Sequence, residues 1–325
     1  GDWRSGYYRD QTMMMAAGLL TPEQFFAQLY AHADPNFEPA SAGRMMNGHY
    51  SSRTLDEGGN WINLMENPNS SADISPTAGQ MPRLLGLAMA SKFFRNSPEL
   101  SNHTQFSAQG NEVAFGTIGD ASTSEGPFWE TMNAAGVLQV PVVMSVWDDG
   151  HGISVPKDLQ TIKQSISEAL AGFQRTADKK GFEIFRVRGW DYPNLVLTYE
   201  RAVKLAREEH VPVLVHVEEV TQPQGHSTSG SHERYKSPER LQWEKDFDPI
   251  KKYKDWILAK DLATAEELST IEEKAKKEAR EAKSAAWKSF LSPIKEDHKM
   301  VVALLTDLGA NSKNSVFINK VKDEL

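Results

Sequence analysis

Cysteine is absent from this chain of 325 residues. Disulfides, zinc–cysteine sites, iron–sulfur clusters and thiol nucleophiles are therefore excluded. No apolar run approaches membrane-spanning length, and no secretory signal is visible. Basic residues are outnumbered, 36 Lys and Arg against 44 Asp and Glu, and they form no block that would neutralise nucleic-acid phosphates. Internal repeats are missing as well. What remains is an ordinary globular composition, long enough for one large α/β domain with an extension or for two domains.

Apolar strand patterns alternate with helical ones. Helical stretches are expected over 7–30, broken at Leu20-Thr21-Pro22 where Thr21 caps a second helix, and over 80–94. Strands are expected at about 113–118, 141–146, 183–188 and 213–217, with helices from Glu125, over 159–173 and over 193–209. This order implies a parallel sheet with helices on both faces, whose ligands sit beyond the carboxyl ends of the strands. Residues 31–73 form a long polar stretch, and a loop of that length inside a domain is usually functional. The methionines at 13–15 and 45–46 read as core filling. After about 235 the chain turns charged and helical, with Glu and Lys in alternating blocks over 264–289. The expected division is an α/β domain over 1–235 and a helical extension over 236–325.

The segment Val113 to Pro156 carries the chemistry. A strand ends in Gly119-Asp120-Ala121-Ser122, a helix follows, and a second strand ends in Asp148-Asp149-Gly150-His151. Asp149 lies 29 residues beyond Asp120, about the minimum that separates neighbouring parallel strands. Two carboxylates at adjacent strand exits can grip one cation, while loop amides and a helix N-terminus hold a phosphate beside it. The same residues also serve elsewhere as a helix cap (Asp120) and a turn (Asp148-Asp149-Gly150).

With its neighbours, the run GDASTSEGPFWETMNAAGVLQVPVVMSVWDDGHGISVP resembles the thiamine-diphosphate fingerprint, in the form found in the alpha subunit of the decarboxylating component of 2-oxo acid dehydrogenases. Three further segments match that family in the right order: Tyr7-Tyr8-Arg9-Asp10, Asp73 to Pro82 (DISPTAGQMP), and Gly225-His226-Ser227-Thr228-Ser229. The resemblance implies a thiamine-diphosphate-binding fold, with Mg2+ and thiamine diphosphate as cofactors. Asp120, Asp149 and the backbone carbonyl of His151 would ligate the metal. Tyr8 and Arg9 would bind the diphosphate, which Gly119, Ala121 and Ser122 approach by backbone; Gly152 and Ile153 would line the cofactor. Ser75 and Thr77 would face the aminopyrimidine, and His226 would handle a proton, or the incoming lipoyl group, near the reactive carbon. Read alone, Arg9 could be a surface ion-pair partner and Ser75-Pro76 only a helix start. His49, His103, His210 and His232 read as structural or exposed.

Three positions depart from the family pattern. Ala121 replaces a glycine, Asp149 replaces the metal-ligating Asn and so adds a negative charge, and Gln222 stands where an Arg is frequent. The implied activity is decarboxylation of a 2-oxo acid and acylation of a lipoyl group on an acyltransferase partner. It requires a beta subunit, separate or fused downstream of Leu325, and implies a heterotetramer that is inactive as the alpha chain alone. The HSTS run leans toward branched-chain substrates, and its loop is expected to order on binding. Alternative readings are an acetoin-type thiamine-diphosphate dehydrogenase and a non-catalytic assembly subunit of the same fold. No nucleic-acid or membrane partner is expected, and the expected location is cytoplasmic. The chain opens at Gly1 and closes on Lys322-Asp323-Glu324-Leu325, a retention address without an entry signal, so both ends read as those of a fragment.

Overall fold

Short apolar runs rich in Val and Ile become strands wherever helices can cover both their faces. The computed structural model describes residues 1–45, 48–226 and 232–325. The strands are β1 (Trp3–Ser5), β2 (Asn69–Ser70), β3 (Ala114–Gly119), β4 (Val142–Trp147), β5 (His151–Gly152), β6 (Val155–Pro156), β7 (Glu183–Arg188) and β8 (Val213–Glu218). Six of them form one parallel sheet in the order β2-β1-β3-β4-β8-β7, while β5 and β6 make a separate antiparallel hairpin. The expected α/β fold with a parallel sheet is thus present, and its central strands fall where the sequence predicts them.

Helices α1 (Gln11–Ala16) and α2 (Pro22–Leu29) follow β1. Thr21 caps α2 in a reciprocal pair with Gln24, as its sequence predicts. Strand alternation sends Val142, Met144 and Val146 to one face of the sheet. There α3 (Gln80–Asn96) and α4 (Gly126–Leu138) bury Met81, Leu84, Phe128 and Met132. Each such side chain contributes about 1.5–3 kcal/mol when fully buried. Val143, Val213 and Val215 point to the other face, against Ala202 and Ala206 of α6 (Tyr192–Glu209).

The single helix predicted over 159–173 is not formed. Two short 3-10 turns flank a one-turn helix, α5 (Ile166–Ala169). Lys163 and Gln164 take left-handed φ values of 64° and 54°, which breaks the run before it. Of the methionines read as core, Met14 is buried but Met45 is exposed, and Met46 lies outside the described residues.

A buried ionic hub ties the first strand to the segment after β2. Arg4 Nη2 donates to Asp10 Oδ2 (2.8 Å) and Asp73 Oδ1 (2.6 Å), and Nη1 donates to Ser70 Oγ (2.7 Å). One guanidinium cannot fully offset two carboxylates. Burial pushes Asp73 up to about 6 against the pull of Arg4, and the Asp10 charge adds to the rise.

The chain divides into two densely packed units, Gly1–Leu19 with His49–Thr270, and Leu20–Gly48 with Ile271–Leu325. Helices α7 (Pro238–Asp246) and α8 (Pro249–Ala259) fall in the first unit, whereas the change in composition drew its line after 235. The second unit holds α2, most of α9 (Ala265–Asn311) and α10 (Ser315–Glu324). Its aromatic contacts include Tyr30 on Trp287 (5.0 Å between centroids) and His32 stacked on Phe37 (4.7 Å). Among the described residues, no helix is long and apolar enough to cross a membrane.

Candidate functional site

Parallel pairing of β3 and β4 sets Gly119 opposite Trp147, so Asp120 and Asp148 leave the sheet at the same level and Asp149 follows one residue later. The backbone fixes both exits. Asp120 N donates to Trp147 O (3.1 Å), Asp148 N donates to Val217 O (2.9 Å), and Val220 N donates to Asp148 O (2.9 Å).

The three carboxylates fare differently. Asp148 is fully paired: its Oδ2 accepts from His216 Nε2 and Lys157 Nζ, both at 3.1 Å, and its Oδ1 from Gly150 N at 2.8 Å. Burial works against its charge, but His216 and Lys157 outweigh that and hold the carboxyl below its ordinary value. Asp120 is only 5% exposed, and its Oδ2 is buried without a hydrogen-bond partner. Burial, then the charges of Asp148 and Asp149, push it up to about 8. Burial also raises Asp149, whose Oδ1 accepts from His151 N at 3.2 Å. Asp120 and Asp149 are therefore a buried, mutually repelling pair with an oxygen to spare, and a divalent cation relieves that arrangement. No group of three or more metal-holding His, Asp or Glu side chains occurs among the described residues. The donor set fits Mg2+, which is commonly held by one or two carboxylates with phosphate oxygens and water completing its shell.

Of the predicted phosphate-binding residues, Gly119, Ala121 and Ser122 adjoin Asp120 along the chain. Asp120 leads into a 3-10 turn over Ala121–Ser124, from which α4 starts. A Cβ added at Gly119 would lie 4.0 Å from both Ser122 Oγ and the Tyr7 hydroxyl, so both hydroxyls border the space above this glycine. Arg9 Nη2 donates to His226 O (3.2 Å), and its guanidinium lies 5.8 Å from the Tyr8 ring centre. Burial and the neighbouring Arg9 charge hold the His226 ring below its ordinary value, while Asp149 pulls the other way. Burial, then Asp10, raise the Tyr7 phenol well above its usual range, and Asp149 adds to the rise. Tyr7, Arg9 and His226 thus share one electrostatic neighbourhood with Asp149. The turn that presents His226 is closed by Gly225 N donating to Gln222 O (2.8 Å).

The remaining predicted residues fall on the β5–β6 hairpin and on the segment before α3. Gly152 and Ile153 belong to the β5–β6 hairpin that carries His151. A Cβ added at Gly152 would fall 2.8 Å from that of Ala121, so the methyl at this departure from the family pattern occupies the space that Gly152 leaves. Ile153 is 57% exposed and holds φ at 59°, a strained conformation for a β-branched residue. Ser75 and Thr77 are exposed and follow Ile74, which bridges to Tyr7; the Ser75 hydroxyl hydrogen-bonds His49 Nε2. His49 therefore has a partner, and His210 bonds Gly110 O from a buried position. Ser227-Thr228-Ser229, expected to order on binding, lie outside the described residues.

Several contributors escape the sequence reading. Tyr7 brings its hydroxyl to the space above Gly119 and packs edge-on against the predicted Tyr8, 5.5 Å between ring centres. His216, 0% exposed, bridges Ser167 Oγ (2.9 Å) and Asp148. Lys236 is buried and its charge bears on Asp149, while Arg240 donates to the Asp149 carbonyl. The only advance signal for the last two is the spacing of Lys236, Arg240 and Glu244 at four-residue intervals, which also describes a solvated helix face.

Comparison with known proteins adds the family context. The dehydrogenase E1 component model matches residues 1–293. The chain is 25% identical over 256 residues to the 2-oxoisovalerate dehydrogenase subunit alpha of Bacillus subtilis (strain 168), covering 79% of this chain and 66% of that protein. It is 27% identical over 293 residues to the mitochondrial 2-oxoisovalerate dehydrogenase subunit alpha 1 of Arabidopsis thaliana, covering 89% and 53% respectively. The chain thus spans from half to two thirds of the length of these relatives. A transketolase structure from Campylobacter jejuni aligns with 67% of this chain and 29% of its own, at 14% identity and a TM-score of 0.41.

Proposed function

Since the chain belongs to the dehydrogenase E1 component family, we propose that it is the alpha portion of a 2-oxo acid dehydrogenase decarboxylating component. On this reading it holds the magnesium-diphosphate end of thiamine diphosphate and works with a beta portion, separate or fused, in a heterotetramer. One observation carries the reading: Asp120 and Asp149, buried at neighbouring strand exits, repel one another, and Asp120 Oδ2 has no partner. The names of the relatives support a branched-chain 2-oxo acid as substrate, and on the same reading a lipoyl-bearing acyltransferase is the acceptor.

Asp120, Asp149 and the His151 carbonyl would hold the cation. Tyr8 and Arg9 would bind the diphosphate, Arg9 through charge-assisted hydrogen bonds. Backbone groups of Gly119, Ala121 and Ser122 would approach it, Gly152 and Ile153 would line it, and Ser75 and Thr77 would face the ring at the far end. When bound, thiamine diphosphate supplies the electron sink that lets a 2-oxo acid lose carbon dioxide. The protein contributes position and proton handling. Arg9 fixes the His226 backbone and, with burial, favours a neutral ring at pH 7, so a His226 ring nitrogen is available to accept a proton beside substrate.

The test is co-expression with the beta portion, followed by steady-state rates on 2-oxoisovalerate and pyruvate with and without thiamine diphosphate and Mg2+. Cofactor-dependent turnover faster on 2-oxoisovalerate is the expected result. A heteromer that binds neither cofactor nor metal and turns over no oxo acid would instead support the assembly-subunit reading that Asp149 and Gln222 motivate.

A further inference from the structure

Asp149 sits in a loop that needs outside support. Its backbone carbonyl has a charged donor: Arg240 Nη2 reaches it at 2.8 Å from the first turn of α7, across a separation of 91 residues. The same guanidinium is locked from behind, because its Nε donates to Glu244 Oε1 at 2.9 Å. Glu244 is 1% exposed and also takes the buried Lys236 ammonium at 2.7 Å on that same oxygen. Two cations therefore converge on one carboxylate, and the cluster keeps a net positive charge beside the loop. A two-pronged guanidinium fits this task, since one prong is fixed on a buried anion while another aims at the carbonyl.

We infer that Arg240 is a positioning residue for the cation site: held by Glu244, it clamps the Asp149 carbonyl so that the Asp149 carboxylate faces Asp120. The inference rests on the proposed magnesium-diphosphate site and deepens it. Groups that orient metal ligands are typically worth about 10–100-fold in metal affinity, though they never touch the ion.

The experiment titrates the full chain with Mg2+ at saturating thiamine diphosphate by calorimetry, using wild type, Arg240→Met, Arg240→Lys and Glu244→Gln. Arg240→Met keeps the aliphatic stem but loses both hydrogen bonds, and its Mg2+ affinity is expected to fall about 10–100-fold. Arg240→Lys keeps the charge but cannot span Glu244 and the carbonyl together, and most of the loss is expected to persist. Glu244→Gln leaves Arg240 in place with a neutral anchor and is expected to lose less. Melting temperature without metal, read on every sample, isolates a purely structural role, which would lower melting and leave affinity intact. Wild-type affinity in folded Arg240→Met overturns the inference, as does full rescue by Arg240→Lys, which would show that charge alone matters. Should Arg240→Met fail to fold, Glu244→Gln decides: unchanged affinity overturns the inference. Absence of Mg2+ binding by wild type overturns the proposed site itself, and the inference with it, and is distinguishable from every other result.

Discussion

Replacing Asp120 by Asn should make the metal-free protein more stable and the cofactor-loaded protein less so. In the metal-free fold burial holds the Asp120 carboxyl at about 8 rather than its ordinary value of 3.8. A folded value raised above the unfolded one means that the folded state binds the proton more tightly. That contribution is complete below 3.8 and is lost as pH climbs through about 8. The full displacement corresponds to at most about 6 kcal/mol, and coupling to Asp148 and Asp149 with water entry into the cleft leaves about 2–3 kcal/mol. Asn keeps the acceptor for the Ala121 N–H and sacrifices no cap, since the Asp120 side chain caps nothing. Urea unfolding at pH 5, 6.5 and 8 should show wild type weakening with pH relative to the variant, with the variant ahead by about 2–3 kcal/mol at pH 8. Adding Mg2+ and thiamine diphosphate at about a hundred times their dissociation constant should return about 2.7 kcal/mol to wild type and little to the variant. The stability order then closes or inverts. A variant less stable than wild type at pH 8 without metal, or one that gains as much from the cofactor, refutes the reasoning.

Gly152→Ala should cost about 1–3 kcal/mol, because its methyl meets Gln160 Oε1 at 2.6 Å and the Ala121 Cβ at 2.8 Å; Ala121→Gly in the same chain should recover the part of the loss owed to Ala121, and a thermal double-mutant cycle checks this. His216→Ala leaves the Asp148 charge buried with one fewer partner, and urea unfolding at pH 7 should show a loss of about 3–5 kcal/mol. The Asp148 contribution is present above the ordinary value of 3.8 and disappears as pH falls through a still lower folded value, so the deficit of this variant should shrink in acid. Asp73→Asn should flatten the part of the stability profile lost between 3.8 and about 6, and stabilise the protein by about 1–2 kcal/mol at pH 7.5; a variant that is weaker there would show that the Arg4 pairing outweighs burial.

The central strands and the carboxylate pair were legible because their signals are local and repeated. β3, β4 and β8 are six-residue apolar runs, and the spacing from Asp120 to Asp149 fits one helix plus one strand. β1 and β2 were not legible. They have three and two residues, too few for periodicity, and pair only because β3 offers an edge. The stretch 159–173 carries helix-compatible residues throughout, yet left-handed turns at Lys163 and Gln164 break it, a tertiary preference that no spacing announces. In the site, neighbouring tyrosines at 7 and 8 look alike in sequence, and only the backbone decides that the Tyr7 hydroxyl reaches Gly119. The clamp from α7 crosses 91 residues between Arg240 and Asp149, so nothing near Asp149 foretells it.

The Arg4 hub has a consequence beyond the two carboxylates it joins. Asp10 directly follows the Tyr8-Arg9 pair, while Asp73 opens the segment that holds Ser75 and Thr77. The two ends proposed to grasp an elongated molecule thus hang from one nitrogen of a single guanidinium, like jaws on a common pivot. Losing that shared nitrogen should slacken both grips at once, and the two ends of the ligand should be lost together rather than in turn.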